Sequence, residues 1–356
     1  MARVAGVDPG TVSFDLCVLQ DGEPILERTF DTGALVRDHG PLLEALFEHG
    51  PYELVYGPSG YGVPLLTAGA IGERELAQMV LVRPDEARAD TGIGGLRSLL
   101  RQLARSGLPV IFGPGVVHLS TVPRHRKYNR IDLGTADKVC AAACAIAECA
   151  ARRGIEPQKT AMILLELGGG FSAALAVAGG QIVDGLGGSS GPIGARAAGA
   201  LDGELAYLLA PRLRKQTLFS GGALDPSGRA PLGDLDALWR SHAHAEGWRA
   251  LVEGAAKSVR ALTVSVPNPQ EIVLSGRLAS VGGLVEELAR ALGDLAPVTV
   301  LATGRCSAAA RGAALLADGL AGGRHAPLVQ ALRLREASDS ALDHLRVEGA
   351  EWITLG

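Results

Sequence analysis

Charge is scarce in this chain. Only 20% of its 356 residues are Asp, Glu, Lys or Arg, and the formal net charge is −4 at pH 7. That balance removes the broad electrostatic attraction that nucleic acid or an anionic membrane would need, so neither is expected as a partner. No apolar run approaches the roughly 18 residues of a membrane-crossing helix, and the N-terminus lacks the basic stretch and apolar core of a secretory signal. A cytoplasmic protein is therefore expected. Cysteine is sparse as well: Cys17, Cys140, Cys144, Cys149 and Cys306 form an odd set without paired spacing, which does not make a disulfide framework. Cys140 and Cys144 share a face of an Ala-rich helical stretch, but no His or second Cys pair accompanies them. They read as small buried hydrophobes rather than metal ligands. Positive charge is concentrated in one place, where Arg124, Arg126, Lys127 and Arg130 fall close together as either a solvated loop or an anion-binding segment.

What the chain has is hydrophobicity and glycine. At 47% hydrophobic residues, 356 residues suffice for two domains with substantial cores. A Gly-turn hairpin occurs twice. The first runs Val4 to Leu19 through Asp8-Pro9-Gly10-Thr11-Val12-Ser13; the second runs Met162 to Val177 through Glu166-Leu167-Gly168-Gly169-Gly170-Phe171-Ser172. In each, an apolar run meets a Gly-rich turn with hydroxyls, then a second apolar run, a Gly turn (Asp21-Gly22; Gly179-Gly180) and a third strand-like run. Glycines let the backbone approach an anion closely, and successive N–H groups with Thr or Ser hydroxyls supply donors. Two such loops facing each other would grip a polyphosphate from both sides, which points to a nucleotide.

The rest of the pattern alternates strands and helices. Residues 3–30 and 160–186 predict three antiparallel strands each, and Leu54–Tyr56, Val110–Phe112, Glu271–Leu274 and Val298–Leu301 predict single strands. Helices are expected at 41–48, 96–106, 135–153 (with Thr135 as N-cap), 200–213, 235–263, 282–292 and 306–320. Residues 57–64 and 185–194 are too rich in Gly and Pro for regular structure. Residues 113–133 read as irregular and basic, and the tail after Gly323 as charged and helical at best. Two similar halves follow, residues 1–133 and 134–356, each with one phosphate loop.

Such a duplication resembles the actin-like (ribonuclease H-like) ATPase fold, an α/β fold whose nucleotide lies in the cleft between two similar halves. Within that superfamily the second half resembles the acetate and butyrate kinase family, most closely its butyrate kinase branch. The resemblance is carried by Leu167-Gly168-Gly169-Gly170-Phe171-Ser172, by Gly180 to Asp184, and by Gly191-Pro192 followed by Arg196-Ala197 and Gly199. Arg126-Lys127-Tyr128, Gly134 to Val139 and Glu271 to Gly276 add to it, and the chain is similar to a prokaryotic family labelled predicted butyrate kinase. The resemblance implies transfer of the γ-phosphoryl of ATP, with Mg2+, to a small carboxylate, and it alone implies a homodimer.

Each residue then has an expected role. Asp8 suits the metal, directly or through water, or else stabilises its turn. Gly10, Thr11, Ser13, Gly168, Gly169 and Gly170 would hold phosphates, and Ser275-Gly276 resembles the family's adenosine-site strand. Arg196 matches the family's arginine in its segment and would clamp phosphate or substrate. Asp184 is a second metal or water-orienting candidate, and Lys138 could supply a compensating cation. Departures from the family are specific: Ile93 stands where a catalytic arginine would fall, Phe112 to Val117 offers no aspartate, Leu133 replaces a histidine and Arg305 a glutamate. They leave room for a kinase of a hydroxyl substrate, with Asp90, Asp132 or Asp137 as base, or for a non-catalytic ATP-binding switch.

Overall fold

Two β-sheets carry the fold, and five strands of each follow the same order, with β5 added at one edge of the first. A computed structural model describes residues 2–10, 13–87, 93–302 and 304–356. Its first half contains β1 Arg3–Pro9, β2 Ser13–Gln20, β3 Glu23–Asp31, α1 Thr32–Arg37, α2 Gly40–Glu48, β4 Leu54–Tyr56, β5 Leu66–Thr67, α3 Glu73–Val80, α4 Ile93–Arg105, β6 Val110–Phe112 and α5 Arg124–Lys127. After α6 Ala136–Arg153 come β7 Ala161–Leu167, β8 Ser172–Ala178, β9 Gln181–Leu186, α7 Gly203–Leu209, α8 Leu235–Arg240, α9 Ala245–Leu262, β10 Glu271–Ser275, α10 Gly282–Leu292, β11 Val298–Val300, α11 Ala308–Leu320 and α12 Ala326–Ala331.

The first sheet runs β3-β2-β1-β4-β6-β5 and the second β11-β10-β7-β8-β9. In each, an antiparallel meander (β1-β2-β3; β7-β8-β9) is extended by parallel strands (β4 and β6; β10 and β11). The second hairpin of each meander (β2–β3; β8–β9) closes through positive φ at both turn residues, 52° and 79° at Asp21-Gly22 and 60° and 70° at Gly179-Gly180. That is the I′ turn whose twist suits a two-residue hairpin. The duplication read from the sequence is therefore structural, and the fold is a duplicated actin-like α/β fold.

Packing makes five layers. Helices α6 and α11 pack on each other between the two sheets, in a core shared by Val4, Cys17 and Leu19 of the first sheet and Met162, Leu164 and Leu175 of the second. Alanines and cysteines let α6 come close: Cys140 and Cys144 are free, buried and packed as hydrophobes, as expected. Separate cores back the outer faces, with α1 to α4 behind the first sheet and α9 and α10 behind the second. Although it follows the second sheet in sequence, the strands α11 packs against are chiefly β1, β2 and β4 of the first.

Some expectations change. The predicted helix over 235–263 is two helices, because the chain turns extended at Ser241 and the indole Nε1 of Trp248 donates to Leu238 O at 3.0 Å, closing the end of α8. The predicted 200–213 helix is confined to Gly203–Leu209, where Pro211 forbids continuation. Within 113–133 lie a 3-10 turn at Val116–His118 and α5. The cations there include two with structural partners: Lys127 Nζ donates to Leu119 O at 2.9 Å, and Arg126 donates to Val183 O at 2.7 Å. The tail is an integral layer, since Leu328, Val329, Leu332, Leu334 and Ala341 are buried in the central core. Among the described residues, no helix is long and apolar enough to cross a membrane.

Candidate functional site

Both Gly-rich loops are shaped by the same contact. A Cβ on Gly10 would lie 2.6 Å from the carbonyl oxygen of Ser13, and one on Gly168 would lie 2.8 Å from that of Phe171. In each loop, then, the first glycine faces the carbonyl three residues on, a place only glycine can fill. Gly168 N donates to Phe171 O at 3.0 Å. No protein group accepts from the N–H of Gly169 or Gly170 among the described residues, although both glycines are buried. Unpartnered N–H groups in a Gly turn are what an anion needs. Thr11 lies outside the described residues.

Arg196 reaches this second loop. Its Nε donates to Gly169 O at 2.9 Å, and its backbone N–H donates to Gly170 O at 3.1 Å. Burial and the neighbouring Arg277 lower its pKa against the pull of Asp225, so two guanidinium groups share this end of the second sheet. Ser275 pairs in register with Glu166, and both side chains face the α6–α11 layer. The hydroxyls of Ser172 and Ser275 are buried without a hydrogen-bond partner.

Between the loops sits a group of carboxylates around one lysine. Asp8 ends β1, only 7% exposed, and accepts from Ser307 Oγ at 2.7 Å; Ser307 is the N-cap of α11. Asp15 is its cross-strand partner on β2 and accepts from Thr29 Oγ1 at 2.6 Å and Ser13 Oγ at 3.3 Å. Glu166 occupies in β7 the place of Asp8 in β1, two residues before the first glycine. Lys138, in the first turn of α6, forms ion pairs with Glu166 and, at 2.7 Å, with Asp137, to which Thr135 also donates. Thr135 thus stands at the helix N-cap, but its hydroxyl serves Asp137.

Four acids and one lysine leave this interior short of positive charge, and the acids respond. Burial and the repulsion of Asp137 and Asp15 push Asp8 up to about 7. Glu166 is raised, chiefly by burial, although Lys138 opposes it. Burial also works against the charge of Lys138, yet Asp137 and Glu166 outweigh it and hold the ammonium above its ordinary value. Asp137 is held below its usual range, against burial, by Lys138 and Thr135. Such a donor set fits a divalent cation. The acids are not gathered into a cage, which agrees with Mg2+, an ion that keeps waters and binds through one or two carboxylates plus phosphate oxygens.

The structure does not bring Asp184 to the loops. It pairs in register with Ala176, four residues along β8 from Ser172 and so about 13 Å away at the rise of a strand. There it accepts from Ser265 Oγ at 2.6 Å and from Gly185 N, and faces Arg126 at 3.6 Å. Leu133 is a buried core residue, and a side chain at 113 would collide with the Tyr56 hydroxyl, so the first sheet has no room for an aspartate there.

A second polar group lies beside the N-terminus of α6. Gly60 O accepts from Ala136 N, which places Tyr61 next to that turn. Lys215 Nζ donates to Tyr61 Oη at 3.0 Å; Ser189 hydrogen-bonds Tyr61 and donates to Asp132 Oδ2 at 2.8 Å. Burial brings Lys215 down to about 8, although Asp132 and Glu86 oppose it. Contacts between the halves border this region: Arg83 donates to Leu213 O at 2.9 Å, Lys215 N to Glu86 at 2.8 Å, and Arg214 pairs with Asp85 at 2.9 Å.

Asp15 and Glu166 had sequence signals, one as a lone charge in an apolar strand and the other as the repeat partner of Asp8. Ser307, Tyr61 and Lys215 had none, since each arrives from a distant segment.

Among solved structures, a propionate kinase from Francisella tularensis subsp. tularensis SCHU S4 shares the fold with a TM-score of 0.62 at 13% identity, over 88% of this chain and 99% of that one. An acetate kinase from Entamoeba histolytica gives 0.57 at 13% identity over 83% and 87%. An acetate kinase from Porphyromonas gingivalis gives 0.57 at 13% over 88% and 98%. At such identities the likeness establishes the fold. Comparison with curated protein sequences finds no match. A family profile described as "Protein of unknown function (DUF1464)" matches residues 6–347, nearly the whole chain, which therefore belongs to that family.

Proposed function

We propose that this protein is an ATP- and Mg2+-dependent phosphotransferase of the acetate and butyrate kinase type, transferring a phosphoryl group to a small carboxylate. The observation that carries the reading is the pair of matched Gly-turn loops with Asp8 and Glu166 at equivalent strand ends, around an interior short of positive charge. The second loop would cradle phosphate with the unpartnered N–H groups of Gly169 and Gly170. Asp8, with Asp15, Asp137 or Glu166 behind it, would hold Mg2+ directly or through water. When bound, the ion neutralises charge on the transferring phosphoryl group. Arg196 is poised to add a bidentate cation beside the same loop.

A carboxylate acceptor is already ionised at neutral pH, so the chemistry requires positioning and positive charge rather than a base. Lys215 supplies a half-buried cation without a directly paired carboxylate among the described residues, beside Tyr61 and next to α6. A hydroxyl acceptor would want a carboxylate base. Asp132 is occupied by Ser189 and by Gly134 N, and Asp137 by Lys138 and Thr135, which favours the carboxylate over a sugar or polyol. The Asp90 candidate lies outside the described residues. The halves 1–133 and 134–356 would close over the nucleotide and exclude water before transfer.

The test is direct. Purified protein with ATP, Mg2+, hydroxylamine and butyrate, propionate or acetate yields hydroxamate. No product above the ATP-only control overturns the reading, and tight ATP binding without turnover supports a non-catalytic switch instead.

A further inference from the structure

The sulfurs of Cys17 and Cys306 and the carboxylate of Glu27 form a second site, away from the carboxylates around Lys138. Their ligand atoms all lie within 4.8 Å of one another, and no other group of three or more His, Cys, Asp or Glu is so gathered among the described residues. Cys17 comes from the middle of β2, Glu27 from β3 and Cys306 from the residue before the N-cap of α11. The thiols are buried and Glu27 is half-buried, so the carboxylate forms the mouth of the site.

We propose that this cluster is a binding site for a thiophilic divalent cation, Zn2+ in the first place, with solvent completing its coordination. Geometry and chemistry both support the assignment. Cys306 Sγ lies 3.5 Å from Glu27 Oε1. A tetrahedral ion with Zn–S of about 2.3 Å and Zn–O of about 2.1 Å separates its sulfur and oxygen ligands by roughly 3.6 Å. The ligand set combines two soft sulfurs with one carboxylate, which favours Zn2+ over Mg2+ or Ca2+. Glu27 is held in place from its other side, since Arg305 N donates to Oε2 at 2.5 Å and leaves Oε1 facing the sulfurs. That backbone contact is the kind of outer-shell support that orients metal ligands. In the metal-free protein, the hydrogen bond with Cys17, burial and the neighbouring acid keep the Cys306 thiol protonated. Binding converts Zn2+ and two thiols into a zinc dithiolate, releases two protons to solvent and changes no oxidation state.

The site joins the β2–β3 hairpin to the start of α11. Since Ser307, the next residue, holds Asp8, an ion at Cys306 would fix the position of the first phosphate loop from behind. This role does not depend on which acceptor, if any, the protein phosphorylates.

The test uses the full-length protein, stripped with chelator under a phosphine reductant and titrated with Co2+ and then Zn2+. One equivalent of Co2+ should produce a thiolate-to-metal charge-transfer band that Zn2+ abolishes, and Zn2+ should raise Tm. Cys306→Ser should remove the band. Glu27→Gln, at the half-buried mouth where folding is least at risk, should weaken Co2+ binding by more than about tenfold, the lower end of what even outer-shell changes cost. Cys149→Ala, whose thiol donates to Glu271 elsewhere, should leave binding unchanged. Absence of a charge-transfer band in the reduced wild type, or a band that survives Cys306→Ser, overturns the proposal. So does a protein that loses two hydrogens in air, by mass, and takes up no metal after re-reduction, since that pair would be a disulfide.

Discussion

Ser307 Oγ donates to Asp8 Oδ2 at 2.7 Å across a sequence separation of 299 residues. This bond joins the first Gly-rich loop to the cap of α11, a helix supplied by the other half of the chain, and it is one of the few favourable contacts Asp8 has. Burial and the acids around it dominate, and its carboxyl is pushed up to about 7.

Asp8→Asn follows from that imbalance. A carboxyl whose folded pKa lies near 7 and whose ordinary value is 3.8 contributes stability that is complete below about pH 4 and lost as pH rises through 7. At pH 8 the ionised group is a penalty, so the neutral amide should raise Tm by a few degrees there and have little effect at pH 5. The same variant should lose Mg2+-dependent nucleotide binding. Thermal denaturation at the two pH values, with and without Mg2+ and nucleotide, checks both parts. A variant less stable than wild type at pH 8 would count against the electrostatic account.

Lys138 is the counter-charge for Glu166 and Asp137. Lys138→Met should destabilise by about 1–3 kcal/mol, because it leaves two half-buried acids without their cation. Adding Glu166→Gln should restore much of the loss. Urea unfolding of the two single variants and the double variant gives the coupling, and strictly additive effects would show that the pair does not act as one.

How much of this was legible beforehand follows from where the information sits. The Gly10 and Gly168 turns, the strands around them, Arg196 and the Thr135-Asp137-Lys138 helix start are local patterns, and the sequence displays them. Asp184, a metal or water-orienting candidate in the sequence, lies apart from the Gly-rich loops because its position in β9 follows from the β8–β9 register, which places it beside Arg126 and Ser265. Ser241, which divides the predicted 235–263 helix, is set by the packing of Trp248 against Leu238. The Cys17–Glu27–Cys306 group joins segments from opposite ends of the chain, and no spacing rule foresees it.

Gly10→Ala and Gly168→Ala test the matched loops. Each added methyl would sit under 3 Å from a backbone carbonyl, at 2.6 and 2.8 Å, so the turn must move. The expected stability cost is about 1–3 kcal/mol each. Nucleotide affinity should fall further than stability does, measured at a temperature where both variants remain folded. Unchanged affinity in both would detach the loops from nucleotide binding.

Lys215 reports on the region where the halves meet. Its pKa of about 8 lies below the ordinary 10.5, so its penalty is absent above about pH 10.5, grows as pH falls toward 8 and is complete below 8. Lys215→Met should therefore be most stabilising at pH 7, with the advantage shrinking toward pH 10. The double variant Arg83→Ala, Arg214→Ala, which removes two contacts across the halves, should enlarge the radius of gyration in solution scattering of the nucleotide-free protein. No change in scattering would mean that these contacts do not control closure.

Calorimetric titration of the full-length protein with a non-hydrolysable ATP analogue tests the central claim most directly. The account predicts one site per chain in Mg2+, weakened more than about tenfold, or 1.4 kcal/mol, both by chelation and by Asp8→Asn. A wild-type protein that takes up no nucleotide in Mg2+ would contradict it.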